Sequence, residues 1–187
     1  MDRREAIQQI GLLLGGTVIS AELLSSCTST VKDTSTLVGS EHIPLLNEIG
    51  ETILPTTEKS PGAKAADIGS FMLLMIQDCY RPENQQAFYA GVGQVDEAST
   101  LKYGKGFMQL NASQREELLL EIDKEQEEYM RKKKRDEPPH YFRMMKELTL
   151  LGYFTSEVGC TKALRYVPIP GRYDGEIPYK KGDRAWA

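Results

Sequence analysis

Between His140 and Tyr173 the chain changes from its most aromatic helical pattern to a stretch that can hold no helix, and that change limits what the whole can fold into. Over His140–Leu151, Phe142, Met145 and Leu148 or Thr149, with Phe154 beyond, keep the three-to-four spacing of an amphipathic helix. Gly152 suits the left-handed conformation that ends a helix, so the helix is predicted to stop there and run into Tyr153-Phe154. Regular structure is expected to end after Phe154. Tyr166-Val167-Pro168-Ile169-Pro170-Gly171-Arg172-Tyr173-Asp174-Gly175 and the late Trp186 are too rich in Pro and Gly for a helix, yet too aromatic for disorder. Such a tail lies either on its own helical body or against a partner protein, because Tyr and Trp favour interfaces. Tyr141, Phe142, Tyr153, Phe154, Tyr166, Tyr173 and Trp186 are therefore the candidate partner contacts.

Everything before that stretch reads as helices able to pack around it. In Glu41–Leu54, Leu45, Leu46, Ile49, Thr52 and Ile53 share one face, and Pro55 stops the helix. Ile68–Ile76 is apolar almost all round, which predicts the central buried helix. Asn84–Thr100 would turn Phe88, Val92, Val95 and Ala98 inward. Ser113-Gln114-Arg115-Glu116 reads as a capping box opening the longest helix, with an acidic first half and a basic Arg131–Arg135 end that suit the helix dipole, and Pro138-Pro139 closes it. The expected fold is all-α, a single irregular helical bundle with an extended Pro/Gly/aromatic C-terminal tail. With 187 residues, 40% of them hydrophobic and 27% charged, the chain has enough apolar material for one domain with a core. A net charge of −4 gives nucleic acid little reason to bind, and the basic run, flanked by Glu127, Glu128, Asp136 and Glu137, reads as a solvated helix end.

The N-terminus has the order of an export signal. Arg3-Arg4 precede an apolar run from Leu12 to Ala21, Gly-containing and short for a bilayer, and small residues follow. It resembles a twin-arginine leader, with Ile7 in the apolar place after the arginines, while Asp2 and Ala6 depart from the usual pattern. The alternative is an amphipathic N-terminal helix with a chance Arg pair. Leu24-Ser25-Ser26-Cys27 resembles a bacterial lipobox, so Cys27 is the expected point of cleavage and acylation, with simple cleavage nearby as the alternative. The organisation expected is 1–27 signal peptide with lipobox, 28–40 polar linker and 41–187 helical domain.

Several segments together resemble the small subunit, subunit 3, of membrane-bound gluconate 2-dehydrogenase. They are Thr52-Ile53-Leu54-Pro55, the Pro61-Gly62-Ala63 loop with Ala66, the helix carrying Phe71, and Phe107 with Leu110 after Tyr103-Gly104. Tyr141-Phe142, the Leu148–Phe154 helix end and Pro170–Gly175 follow in that family's order, from about Ile43 to the end of the chain. The resemblance implies a complex in which a large FAD-dependent subunit of the glucose-methanol-choline type oxidises a sugar or sugar acid and a cytochrome c subunit often takes the electrons. The small subunit carries neither cofactor. Its expected role is to clasp a leaderless flavoprotein, support its folding, carry it across the membrane by the twin-arginine route, and tether it through the Cys27 lipid in the periplasm or cell envelope.

The residues themselves fit a chain without chemistry of its own. There is no Cys-x-x-Cys, no Gly-x-Gly-x-x-Gly and no Gly-x-Ser-x-Gly. The two histidines, His42 and His140, sit at helix starts, where capping or surface roles outweigh a metal site built with Glu147. Catalytic, cofactor-binding and metal-binding residues are thus expected to be absent. Cys79 and Cys160 would form a disulfide, worth ~3–5 kcal/mol by loop closure, or stay as two free thiols. Two other classes compete with the accessory subunit: a stand-alone envelope lipoprotein acting as a structural or binding module, and a small enzyme, whose sign would be a polar pocket with buried Glu or His.

Overall fold

The computed structural model describes residues 39–169 and 171–187; the expected leader with Arg3 and Arg4, Cys27 and most of the expected linker lie outside the described residues. A 3₁₀ turn over Ser40–His42 leads into α1, Ile43–Ile53, with Pro44 in its first turn, where a missing N–H costs nothing. α1 buries Leu46 and Ile49, with Leu45, Thr52 and Ile53 at its flanks, and ends where Leu54 turns extended before Pro55. The Glu51 carboxylate organises the loop that follows: it accepts from the Thr56 N–H (2.8 Å), the Thr56 hydroxyl (2.7 Å) and the Lys64 N–H (3.0 Å).

α2 spans Ile68–Cys79, and its first turn is capped from α1, since Asn47 Oδ1 accepts from the Gly69 N–H at 2.7 Å. Only one stripe of α2 is fully buried, Ile68, Met72 and Ile76 at i, i+4, i+8. Leu73 and Met75 flank it, and Leu74 stands 57% exposed. The expectation of a central buried helix here is therefore corrected: α2 is an outer helix with an apolar outward residue. Its C-terminal carbonyls are gathered by one side chain, the Gln85 amide, which donates to Ile76 O (3.1 Å), Gln77 O (3.0 Å) and Tyr80 O (3.0 Å).

α3, Pro82–Tyr103, is the longest helix among the described residues at 22 residues; α4, Ala112–Lys132, has 21. α3 turns in Phe88, Val92 and Val95 as expected, with Ser99 buried and Ala98 half-buried, and ends at Gly104, whose φ of +69° is the left-handed cap. The capping box of α4 starts two residues earlier than predicted. Asn111 Oδ1 accepts from the Gln114 N–H (2.9 Å) and Gln114 Oε1 accepts from the Asn111 N–H (3.2 Å); an Asn three residues before a Gln serves as well as Ser before Glu. Arg115 crosses to Glu48 on α1, which also pairs with Lys64 at 2.7 Å. Burial would raise the Glu48 carboxyl, yet the two cations hold it below its ordinary value.

α5, Tyr141–Thr155, is the axis of the bundle and packs against each of the four other α-helices of the described residues. Tyr141, Phe142, Met144, Met145, Leu148, Thr149, Gly152 and Tyr153 are buried along it. Removing a Leu, Met or Phe of this set from water is worth about 1.5–3 kcal/mol each, so α5 carries much of the core. His140 caps it, Nδ1 accepting from the Phe142 N–H at 3.3 Å. The predicted stop at Gly152 is wrong by about a turn. A Cβ on Gly152 would stand 2.5 Å from Cδ1 of Phe71, so glycine there admits the ring of α2, and the helix runs on to Thr155. Regular structure then resumes in a π-helical turn, Gly159–Ala163. No helix among the described residues is long and apolar enough to cross a membrane.

Candidate partner-binding surface

The tail leaves the bundle through Ser156, whose hydroxyl donates to Tyr153 O (2.7 Å) and accepts from the Gly159 N–H (3.0 Å). Pro168, Pro178, Gly171 and Gly182 deny it a helix or a long strand, the two glycines at φ +57° and +92°. The tail does not trail off. Arg165 and Trp186 form a parallel bridge, with Arg165 N–H donating to Ala185 O (2.8 Å) and Ala187 N–H to Arg165 O (3.2 Å). The Arg165 guanidinium lies 4.2 Å from the Trp186 ring centroid, a cation–π contact worth ~0.5–1 kcal/mol at an exposed site. Residues 166–185 are thus a loop closed at its base. Arg184 adds one tie to the bundle, donating to Lys59 O at 3.2 Å.

On this loop the apolar side chains face solvent. Tyr166, Val167, Ile169, Ile177, Tyr179 and Trp186 are all exposed, and Tyr173 is 96% exposed. Five of them, without Tyr166 and Tyr179, edge an open cavity of about 1030 Å³ together with Pro178. On the outward face of α5, Leu150, Leu151 and Phe154 are exposed as well.

The seven candidate contacts therefore divide. Phe154, Tyr166, Tyr173 and Trp186 are exposed, whereas Tyr141 (9%), Phe142 (2%) and Tyr153 (3%) belong to the core and are corrected here. Tyr141 packs where Gly91 leaves room, and the Tyr153 hydroxyl donates to Pro61 O, tying α5 to the loop after α1. Burial, with Glu125 nearby, pushes Tyr141 up to about 12. Aromatic character alone marked these three; the helical register, which puts 141, 142 and 153 on the side of Met145 and Leu148, separates them from Phe154. Leu74, Leu150, Leu151, Ile177 and Tyr179 were missed as surface residues, although the same register exposes Leu150 and Leu151 beside Phe154.

Titratable groups are placed structurally. Lys146 pairs with Asp123 at 2.7 Å, and Lys102 is held above its ordinary value by Glu117 and Glu121. His140 is pushed down by burial, partly offset by Glu125, and serves as a cap. His42 lies 3.8 Å from Glu41. Among the described residues no three His, Cys, Asp or Glu side chains converge as a metal site. Cys79 and Cys160 are free thiols, so of the two expectations the disulfide is not formed; Cys79 is exposed at the end of α2 and Cys160 Sγ donates to Phe154 O at 3.2 Å.

Residues 40–171 match the family described as gluconate 2-dehydrogenase subunit 3. The chain belongs to that family. The match takes in all five α-helices of the described residues and stops at Gly171, so the expected correspondence of Arg172–Gly175 falls beyond it. Comparison with curated proteins and with solved structures gives no match. A subunit 3 is by its name one chain of a multisubunit gluconate dehydrogenase complex, and the apolar surface described above lies on such a chain.

Proposed function

We propose that this chain is the non-catalytic small subunit of a membrane-associated, FAD-dependent sugar or sugar-acid dehydrogenase. It binds a flavoprotein subunit of the glucose-methanol-choline type, supports its folding, carries it out of the cytoplasm on the Arg3-Arg4 leader and tethers it through lipid on Cys27. Family membership supports the assignment to the complex, and the observation that carries the binding role is the closed loop with its exposed apolar side chains. FAD belongs to the partner in this reading, and where such a complex includes a cytochrome c subunit, that subunit takes the electrons. The chain's own Glu48 and Asp123 are neutralised by Arg115, Lys64 and Lys146, which suits a scaffold rather than a proton-transfer site.

Export is tested by replacing Arg3 and Arg4 with Lys and following the flavoprotein by cell fractionation. Retention of flavoprotein in the cytoplasm is expected; undiminished export refutes the carrier role. Mass spectrometry of the mature N-terminus tests the anchor, which an unmodified peptide spanning Cys27 would rule out.

A further inference from the structure

The family match ends at Gly171, inside the closed loop, so the returning limb from Arg172 to Ala187 lies outside what the family model covers. That limb supplies Tyr173, Ile177, Tyr179 and Trp186, and without Trp186 the loop has no base. Its charge also differs from that of the whole. From Arg165 to Ala187 there are five basic residues (Arg165, Arg172, Lys180, Lys181, Arg184) and three acidic ones (Asp174, Glu176, Asp183), on a chain whose net charge is −4. A basic, apolar loop on an acidic chain complements a surface of the opposite kind.

We infer that the Arg165–Trp186 clasp presents this loop as the element that selects the chain's own large subunit, by receiving a protruding apolar side chain from an acidic patch of that subunit in the cavity edged by Val167, Ile169, Tyr173, Ile177 and Trp186. This rests on the reading of the chain as a dehydrogenase small subunit. Arg165 is a positioning residue: its Nε is buried without an acceptor, so the stack on Trp186 and the two backbone bonds hold it in place. Lys180 and Lys181 are exposed and supply the steering charge.

The test uses the full chain and the flavoprotein that purifies with it, recognised by its flavin spectrum. Dissociation constants are measured at low and high salt for wild type, Trp186→Ala, Arg165→Ala and the double charge reversal Lys180→Glu/Lys181→Glu, with thermal melts of each chain. Trp186→Ala is expected to weaken binding about thirtyfold, the scale of a central aromatic contact, and Arg165→Ala about tenfold, with bundle melting unchanged. The charge reversal should slow association and flatten the salt dependence. Wild-type affinity in all three variants overturns the inference while leaving the functional reading intact. Loop-dependent binding to phosphatidylserine vesicles, with undiminished flavoprotein affinity in the variants, overturns it in favour of a membrane contact. A wild-type chain that captures no flavoprotein overturns both.

Discussion

Two glycines of α3 offer a matched pair. A Cβ at Gly91 would stand 2.1 Å from Cγ and 2.2 Å from Cβ of Tyr141, whereas a Cβ at Gly93 meets nothing within 4 Å. Normal carbon contacts lie at about 3.5–4.0 Å, so Gly91→Ala demands a shift of about 1.5 Å. Because Cβ of Tyr141 is itself in the way, a ring swing cannot supply it, and the α3–α5 seam must open. Forcing a methyl into such a core costs about 3 kcal/mol, offset by about 1 kcal/mol of helix propensity gained over glycine, leaving a net loss of about 2 kcal/mol. Gly93→Ala has only the propensity term and should gain about 0.5–1 kcal/mol. At roughly 2–4 °C per kcal/mol for a domain of this size, the two variants should melt on opposite sides of wild type, roughly 4–8 °C below and 1–4 °C above. Thermal unfolding followed by circular dichroism reads both. A Gly91→Ala protein that melts at or above wild type would refute the claim that α5 is seated in α3 through Tyr141.

Other perturbations follow from single contacts. Tyr153→Phe deletes the donor to the Pro61 carbonyl while keeping the ring, and chemical denaturation should show a loss of about 1 kcal/mol. Because burial holds His140 below its ordinary 6.5, the unfolded chain binds the proton more readily, so stability should fall as pH drops through 6.5; His140→Asn, which keeps a capping acceptor, should remove that slope in melts taken from pH 7 to 5. In protein never exposed to reductant, maleimide should label Cys79 quickly and Cys160 more slowly, and recovery of a Cys79–Cys160 disulfide peptide would contradict the free thiols.

Helical periodicity made the bundle legible. Leu46 and Ile49, Phe88 through Val95, and Phe142 through Leu148 lie inside at the spacing the sequence shows. What it could not show is contact between helices. Gly152 looks like a stop signal until Phe71 is seen to need its missing side chain, and Ile68–Ile76 looks central until α5 takes that place and Leu74 is left outside. Gln85 capping α2 and Asn47 capping its start are pairings across separate helices, invisible in local patterns. The closure of the tail by Arg165 and Trp186 was not legible, because one bridge between residues 21 apart leaves no periodic trace.

The proposed role is that of a subunit that holds a flavoprotein and performs no turnover itself. Purification of the tagged full chain from detergent extracts, with flavin absorbance and sugar-acid-dependent dye reduction measured on the complex and on the chain after separation, tests that directly. Flavin and activity should accompany the complex and be missing from the separated chain; dye reduction by the chain alone, or a chain that purifies with no flavoprotein, would contradict it.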